Sequence, residues 1–117
     1  MFSNKNSKQK SDSLRKILDK KGIIIMPGCF DALSAKLIEN SGIEVGFMSG
    51  FSVSSTKLGM PDTGLISFSE MLEQVKNISN ATSIPFIFDG DTGYGNSVNV
   101  YRTVRGYADA GAAGVMI

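Results

Sequence analysis

Short apolar runs at residues 23–26, 45–48 and 84–88, with another beginning at 114, alternate with segments whose apolar residues recur at helical spacing. Each run is too short for a helix and is rich in β-branched or aromatic residues, which suits a strand buried on both faces. Strands that alternate with helices pair in parallel through right-handed crossovers, so the pattern predicts an α/β fold. About 20 to 40 residues per βα unit fits either a barrel or a doubly wound sheet. A (β/α)8 barrel takes about 250 residues. On the barrel reading, residues 14–117 are its N-terminal part, three βα units and the start of strand four, and the chain is expected to be incomplete.

The units have recognisable ends. Residues 1–13, rich in Ser, Asn, Lys and Gln, are expected to form a mobile, disordered polar arm. Leu14, Ile17 and Leu18 then mark a short helix that ends near Gly22. After the first strand, Asp31 is placed to cap a helix with Leu33, Leu37 and Ile38 as its apolar stripe and Gly42 at its end. After the second, a loop through Gly50, Gly59, Pro61 and Gly64 leads to Ser67. With Glu70, Ser67 can form a capping box for a helix carrying Met71, Leu72, Val75 and Ile78 on one face. After the third, a glycine-rich loop over 90–96 precedes a helix over 97–110 with Val100, Val104 and Tyr107 inward and Gly111 at its end.

Composition narrows the chemistry. The 117 residues hold 12 Lys and Arg against 11 Asp and Glu, and no histidine, for a net charge of +1. That charge gives no field to attract polyanions, and no basic run is interleaved with aromatics, so nucleic acid is not an expected partner. Without histidine, Ser-His-Asp hydrolysis and HExxH zinc chemistry cannot be assembled within this segment. One cysteine, Cys29, makes neither an internal disulfide nor a zinc site, and points to a reducing compartment. The N-terminus lacks the apolar core of a secretory signal, and no run approaches the roughly 20 apolar residues that span a bilayer. A cytoplasmic location without membrane association is expected.

In parallel α/β folds, chemistry gathers at the C-terminal ends of the strands. Unusual polar residues fall at all three: residues 28–31, 49–52 and 89–95. Asp89 and Asp91 flank a glycine at the third, where two carboxylates at the mouth of a buried strand would repel one another. A cation such as Mg²⁺, which takes one or two carboxylates and keeps several waters, resolves that conflict. The competing reading is that Asp89 ends the strand and Asp91 holds a turn. The segment fails as an EF-hand, which needs glycine where Tyr94 stands and Glu where Val100 stands. It fails as a P-loop for want of Lys, and as a dinucleotide fingerprint because Val98 replaces the third glycine. At the second strand end, Ser49 with the N–H groups of Gly50 and Phe51 could hold a carboxylate or phosphate oxygen, or be an ordinary small-residue turn. Asp62 lies in a loop long enough to fold over the strand ends, or simply forms a turn. Cys29 has no basic partner in view and reads as an inert, buried thiol.

In order and spacing, the segments 47–50 (Phe-Met-Ser-Gly), 58–62 (Leu-Gly-Met-Pro-Asp), 89–95 (Asp-Gly-Asp-Thr-Gly-Tyr-Gly) and 110–114 (Ala-Gly-Ala-Ala-Gly) resemble the isocitrate lyase/phosphoenolpyruvate mutase superfamily. The resemblance runs over about residues 14–117. It implies a Mg²⁺-dependent (β/α)8 barrel, usually a homotetramer with a helix swapped between subunits, acting on small 2-oxo or 2-hydroxy acids through an enolate. It implies that Asp89 and Asp91 are metal-site carboxylates, directly or through water, and that Ser49, Gly50 and Phe51 hold the substrate's acid group. It further implies that Phe47 lines the site and that Asp62 is an active-site carboxylate near the reacting centre. The stretch 49–55 and the motifs at 58–62 and 89–93 look most similar to the lyase branch that includes 2-methylisocitrate lyase and the alkylmalate lyases. The run 92–96 is also typical of the phosphonate branch, and the name carboxyvinyl-carboxyphosphonate phosphorylmutase, often attached to such sequences, is a family label more than a substrate assignment. A C–C lyase is the first expectation, a P–C mutase or hydrolase the second, and a non-catalytic fragment a third. The lyases that the chain resembles carry a Glu-Asp-Gln-like segment after strand four and a Lys-Lys-Cys-Gly-His-like loop whose cysteine is the general acid/base. Neither occurs in residues 1–117.

Overall fold

A computed structural model describes residues 5–117. Four strands, β1 (Gly28–Cys29), β2 (Gly46–Met48), β3 (Phe86–Asp89) and β4 (Gly114–Met116), form one sheet in the order β1-β2-β3-β4. All three pairings are parallel. The expected α/β architecture is therefore present. The helices are α1 (Lys5–Leu18), α2 (Ala32–Asn40), α3 (Gly50–Val53), α4 (Phe68–Ala81) and α5 (Ser97–Asp109). Among the described residues no helix is long and apolar enough to cross a membrane.

Strand periodicity sorts the sheet into two faces. Register brings Cys29, Met48, Phe88 and Val115 into one row. Cys29, Met48 and Phe88 are fully buried against Ile38 of α2, Met71, Val75 and Ile78 of α4, and Tyr107 of α5. The neighbouring row holds Gly28, Phe47, Ile87 and Gly114 on the opposite face.

Helix starts follow local chemistry. Asp31 caps α2 by accepting from Ser34 N–H at 2.7 Å while Ser34 Oγ accepts from Asp31 N–H at 3.1 Å. Ser67 and Glu70 close the capping box of α4, with Ser67 N–H donating to Glu70 Oε2 at 2.8 Å. The hydrogen bonds that Asp31 receives from Ser34 hold its carboxyl below the usual range. Its folded pKa lies under its unfolded one, so this contribution is present above the unfolded pKa and fades as pH falls through the folded one. Asp31→Ala is expected to cost about 1 kcal/mol at neutral pH, and the difference from wild type should shrink in acid. Urea melts across pH check it; a deficit independent of pH would contradict the assignment.

Several expectations need correction. The polar arm at 1–13 is helical from Lys5 onward, and residues 1–4 lie outside the described part. Tertiary bonds fasten this helix where local sequence predicts none. Ser7 Oγ donates to Ala112 O at 2.9 Å, and the buried Lys10 ammonium donates to the Ser79 and Thr82 carbonyls, both at 2.8 Å, at the end of α4. Leu14 and Ile17 pack with Val45 and Ala113, which precede β2 and β4. Helix α1 therefore braces the N-terminal ends of the strands, away from Asp89.

The run 23–26 is not paired into the sheet, which begins at Gly28. With Gly28 opposite Phe47, residues 23–26 face the turn between α2 and β2, which has no ladder to offer. Ile23 and Ile25 are consequently exposed. In α2, Leu33 and Leu37 are also exposed, and the buried pair is Ala35 and Ile38. In α5, Thr103 and Tyr107 turn inward while Val104 does not. The loop expected after residue 50 opens as α3, capped by Ser49 and continued by a π-helical turn over Ser54–Leu58 that ends at Gly59 (φ +63°). Buried Val53 and Ser54 hold that segment in place of helix propensity.

Candidate active-site cleft at the strand ends

β3 delivers Asp89 to the C-terminal edge of the sheet beside the start of α3. Its carboxylate is fixed by two backbone donors, Gly50 N–H to Oδ2 at 3.0 Å and Asp91 N–H to Oδ1 at 2.9 Å. The first bond spans 39 residues and joins two strand ends. It also demands glycine, because a Cβ at position 50 would lie 2.7 Å from Asp89 Oδ2. Tyr107 supports the strand end from below, its hydroxyl donating to the Asp89 carbonyl at 3.1 Å.

The loop after Asp89 is tightly wound. Asp91 (φ +51°), Gly93 (φ +91°), Tyr94 (φ +61°) and Gly95 (φ +142°) all lie in positive-φ space. For tyrosine this is a true outlier, costing roughly 1–2 kcal/mol. The loop is held by Gly93 N–H donating to Gly90 O at 2.8 Å and by Thr103 Oγ1 donating to Gly93 O at 2.9 Å. The Tyr94 ring packs against Phe68, with centroids 6.0 Å apart. Burial pushes the Tyr94 hydroxyl up to about 12; a side-chain hydrogen bond with Tyr107 opposes this, and the nearby charges of Asp91, Asp89 and Asp62 add to it.

These elements enclose a cleft of about 300 Å³ whose lining includes Gly50, Asp62, Asp89, Asp91, Thr92 and Tyr94, with Ile66 and Met71 as its apolar part. Three carboxylates thus meet in one cleft that has no Lys or Arg in its lining among the described residues. Among the described residues no group of three or more His, Cys, Asp and Glu is placed to hold a metal ion by itself. The donor set suits a hard cation that keeps its waters: each Asp89 oxygen retains acceptor capacity after its single backbone bond, and the space beside Oδ2 is open because position 50 has no Cβ.

The sequence-predicted residues separate into two groups. Gly50, Asp62, Asp89 and Asp91 line the cleft. Ser49 spends its side chain capping α3, accepting from Ser52 N–H at 3.3 Å. Phe51 is largely exposed, and Phe47 is half-buried on the sheet face opposite α2, α4 and α5. Cys29 is fully buried, and burial followed by the charge of Asp31 pushes its thiol up to about 12, which matches the inert reading. Tyr94 was not singled out by sequence, since nothing in a Gly-Tyr-Gly string announces that the tyrosine takes a left-handed backbone and turns inward.

The sequence model described as phosphoenolpyruvate phosphomutase matches residues 14–117. The chain belongs to this family. It is 43% identical over 103 residues to the chloroplastic carboxyvinyl-carboxyphosphonate phosphorylmutase of Arabidopsis thaliana, covering 87% of this chain and 30% of the relative. It is 41% identical over 104 residues to 2,3-dimethylmalate lyase of Eubacterium barkeri, covering 89% and 36%. Among solved structures, a phosphonopyruvate hydrolase in complex with oxalate and Mg²⁺ superposes with a TM-score of 0.85 at 38% identity, over 91% of this chain and 37% of that one. The chain spans about a third of the length of the curated relatives it matches. Its sheet corresponds to the N-terminal part of the barrels in this superfamily. Relatives in it include lyases, mutases and hydrolases.

Proposed function

We propose that this chain carries the metal-binding half of a Mg²⁺-dependent lyase that cleaves a C–C bond of a small 2-hydroxy di- or tricarboxylate through an enolate. The observation that carries the reading is the cleft where Asp89, pinned by Gly50 N–H, stands with Asp62 and Asp91 and no basic neighbour. Asp89 and Asp91 would hold the cation, directly or through water. A cation held there supplies Lewis-acid stabilisation of the negative charge that develops on an oxygen as the bond breaks.

The chain's own residues do the rest of what this segment contributes. Gly50 N–H and the Asp91 amide hold the Asp89 carboxylate in one orientation before any ligand arrives, so none of that ordering is left for the binding step. Asp62 reaches the same cleft from the loop after α3, and in this reading it serves as the active-site carboxylate near the reacting centre. Ser49 and Phe51 flank Gly50 at the mouth, and Phe47 sits one row further down the strand. Ile66 and Met71 form an apolar wall that limits water on one side. In the family reading the proton-transfer group lies outside residues 1–117, and the functional unit is a homotetramer in the cytoplasm.

The test is turnover by the full product of the gene, with Mg²⁺, of 2,3-dimethylmalate and 2-methylisocitrate, followed by proton NMR, and of phosphonopyruvate, followed by phosphorus NMR. Cleavage of a hydroxy acid upholds the reading. The likeness to a phosphonopyruvate hydrolase favours P–C cleavage as the second reading, and turnover of phosphonopyruvate alone would install it. Inertness toward all three would overturn both.

A further inference from the structure

An acidic cleft that takes an acid must find hydrogen-bond donors for it. Asp62, Asp89 and Asp91 only accept when ionised, and no Lys or Arg lines the cleft among the described residues. A cation satisfies the acid oxygens that ligate it, while an oxygen left over faces carboxylates and needs a donor. Two of the lining residues carry a hydroxyl, Tyr94 and Thr92. The Tyr94 hydroxyl is sealed from solvent and shares a hydrogen bond with Tyr107, which puts it out of reach. Thr92 is exposed, lines the cleft beside Asp91, and spends its hydroxyl on no partner among the described residues.

The loop also holds Thr92 from both sides. Before it, Asp91 (φ +51°) donates its N–H to Asp89 Oδ1 at 2.9 Å. After it, Gly93 (φ +91°) donates to Gly90 O at 2.8 Å and accepts from Thr103 Oγ1 at 2.9 Å. Gly93 also sits against Val100 of α5 with no room for a Cβ. The backbone at Thr92 is thus set before a ligand arrives. Resting on the reading of the cleft given above, we infer that Thr92 is a specificity-determining donor: its hydroxyl gives a hydrogen bond to an oxygen of the bound acid that the cation does not take. Acids that present a second charged oxygen beside Asp91 are favoured over those that end in an apolar group there.

The test uses the full product of the gene, with oxalate and Mg²⁺ as probes, because a structural relative is solved with both. Oxalate chelates a cation through one oxygen of each carboxylate and leaves two charged oxygens facing outward. Thr92→Val, which keeps the shape and removes the hydroxyl, should keep the wild-type melting curve and Mg²⁺ affinity. By calorimetry it should bind oxalate roughly ten- to a hundredfold more weakly. Thr92→Ser, which returns the hydroxyl, should recover most of that loss. Thr92→Val binding oxalate as wild type does, Thr92→Ser losing as much as Thr92→Val, or either variant losing Mg²⁺ affinity or melting temperature in step with oxalate would overturn the role of Thr92 and leave the cleft reading standing. Failure of the wild-type product to bind Mg²⁺ and oxalate at all would overturn both.

Discussion

Asp89→Ala should abolish Mg²⁺ binding while leaving a folded protein. Of the three cleft carboxylates, only Asp89 has both oxygens oriented by backbone donors, so on the proposed reading its loss removes the one carboxylate whose position is set before a cation arrives. Outer-shell changes at metal sites cost about 10- to 100-fold in affinity, and removal of a direct ligand should exceed that range. A second effect accompanies it. Gly50 is buried, and without the carboxylate its N–H loses its acceptor, at about 1–3 kcal/mol. Calorimetric titration with Mg²⁺ and a thermal melt separate the two effects. Unchanged Mg²⁺ affinity in a folded variant would remove Asp89 from the metal site. Asp89→Asn, which drops the charge and keeps one of the two acceptors, should lose Mg²⁺ and can still accept from Gly50 N–H, leaving the exposed Asp91 N–H to water.

The largest effect on stability is expected at Phe88. Its side chain is fully buried at the centre of the helix-covered face, with its ring 6.2 Å from Phe86 and edge-on to Tyr107 at 6.5 Å. Phe88→Ala opens a cavity beneath three helices that cannot all move inward, and should cost about 3–5 kcal/mol. Domains are stable by only about 5–15 kcal/mol in total, so the variant should be close to unfolding at ambient temperature. Urea denaturation gives the number, and a loss below about 1 kcal/mol would mean that the core collapses around the gap. The position also couples core to site: Phe88 immediately precedes Asp89, and Tyr107 touches one residue with its ring and the other with its hydroxyl. Disorder in the core is therefore expected to blur the cleft.

Much of this could be read from the chain itself, because it depends on neighbours close in sequence. Asp31 and Ser67 cap their helices through residues three positions on, a geometry that the local string dictates. The parallel order of the strands follows from their alternation with helices. Asp89 and Asp91 stand at a strand end because the apolar run stops there and charge begins.

What sequence left open depends on contacts between distant residues. Helical spacing marks an apolar stripe on α2, but not that Ala35 and Ile38 pack inward while Leu33 and Leu37 face out. Residues 5–13 are polar throughout, and Lys10 and Ser7, each bonded to carbonyls more than 60 positions away, help to explain why they are an ordered helix. The run 23–26 has the composition of a strand and no partner at its register. Tyr94 turns inward because Thr103 and Gly90 tie down the loop on either side. By itself, then, the sequence determined the fold class, the helix starts and the strand end that carries the acidic pair, each a matter of short-range periodicity and capping. The tertiary structure alone decided which faces are buried, how α1 is fastened, and that Gly50, Asp62, Asp89 and Tyr94 share one cleft, because burial and hydrogen bonding across the chain depend on what the rest of the fold brings alongside.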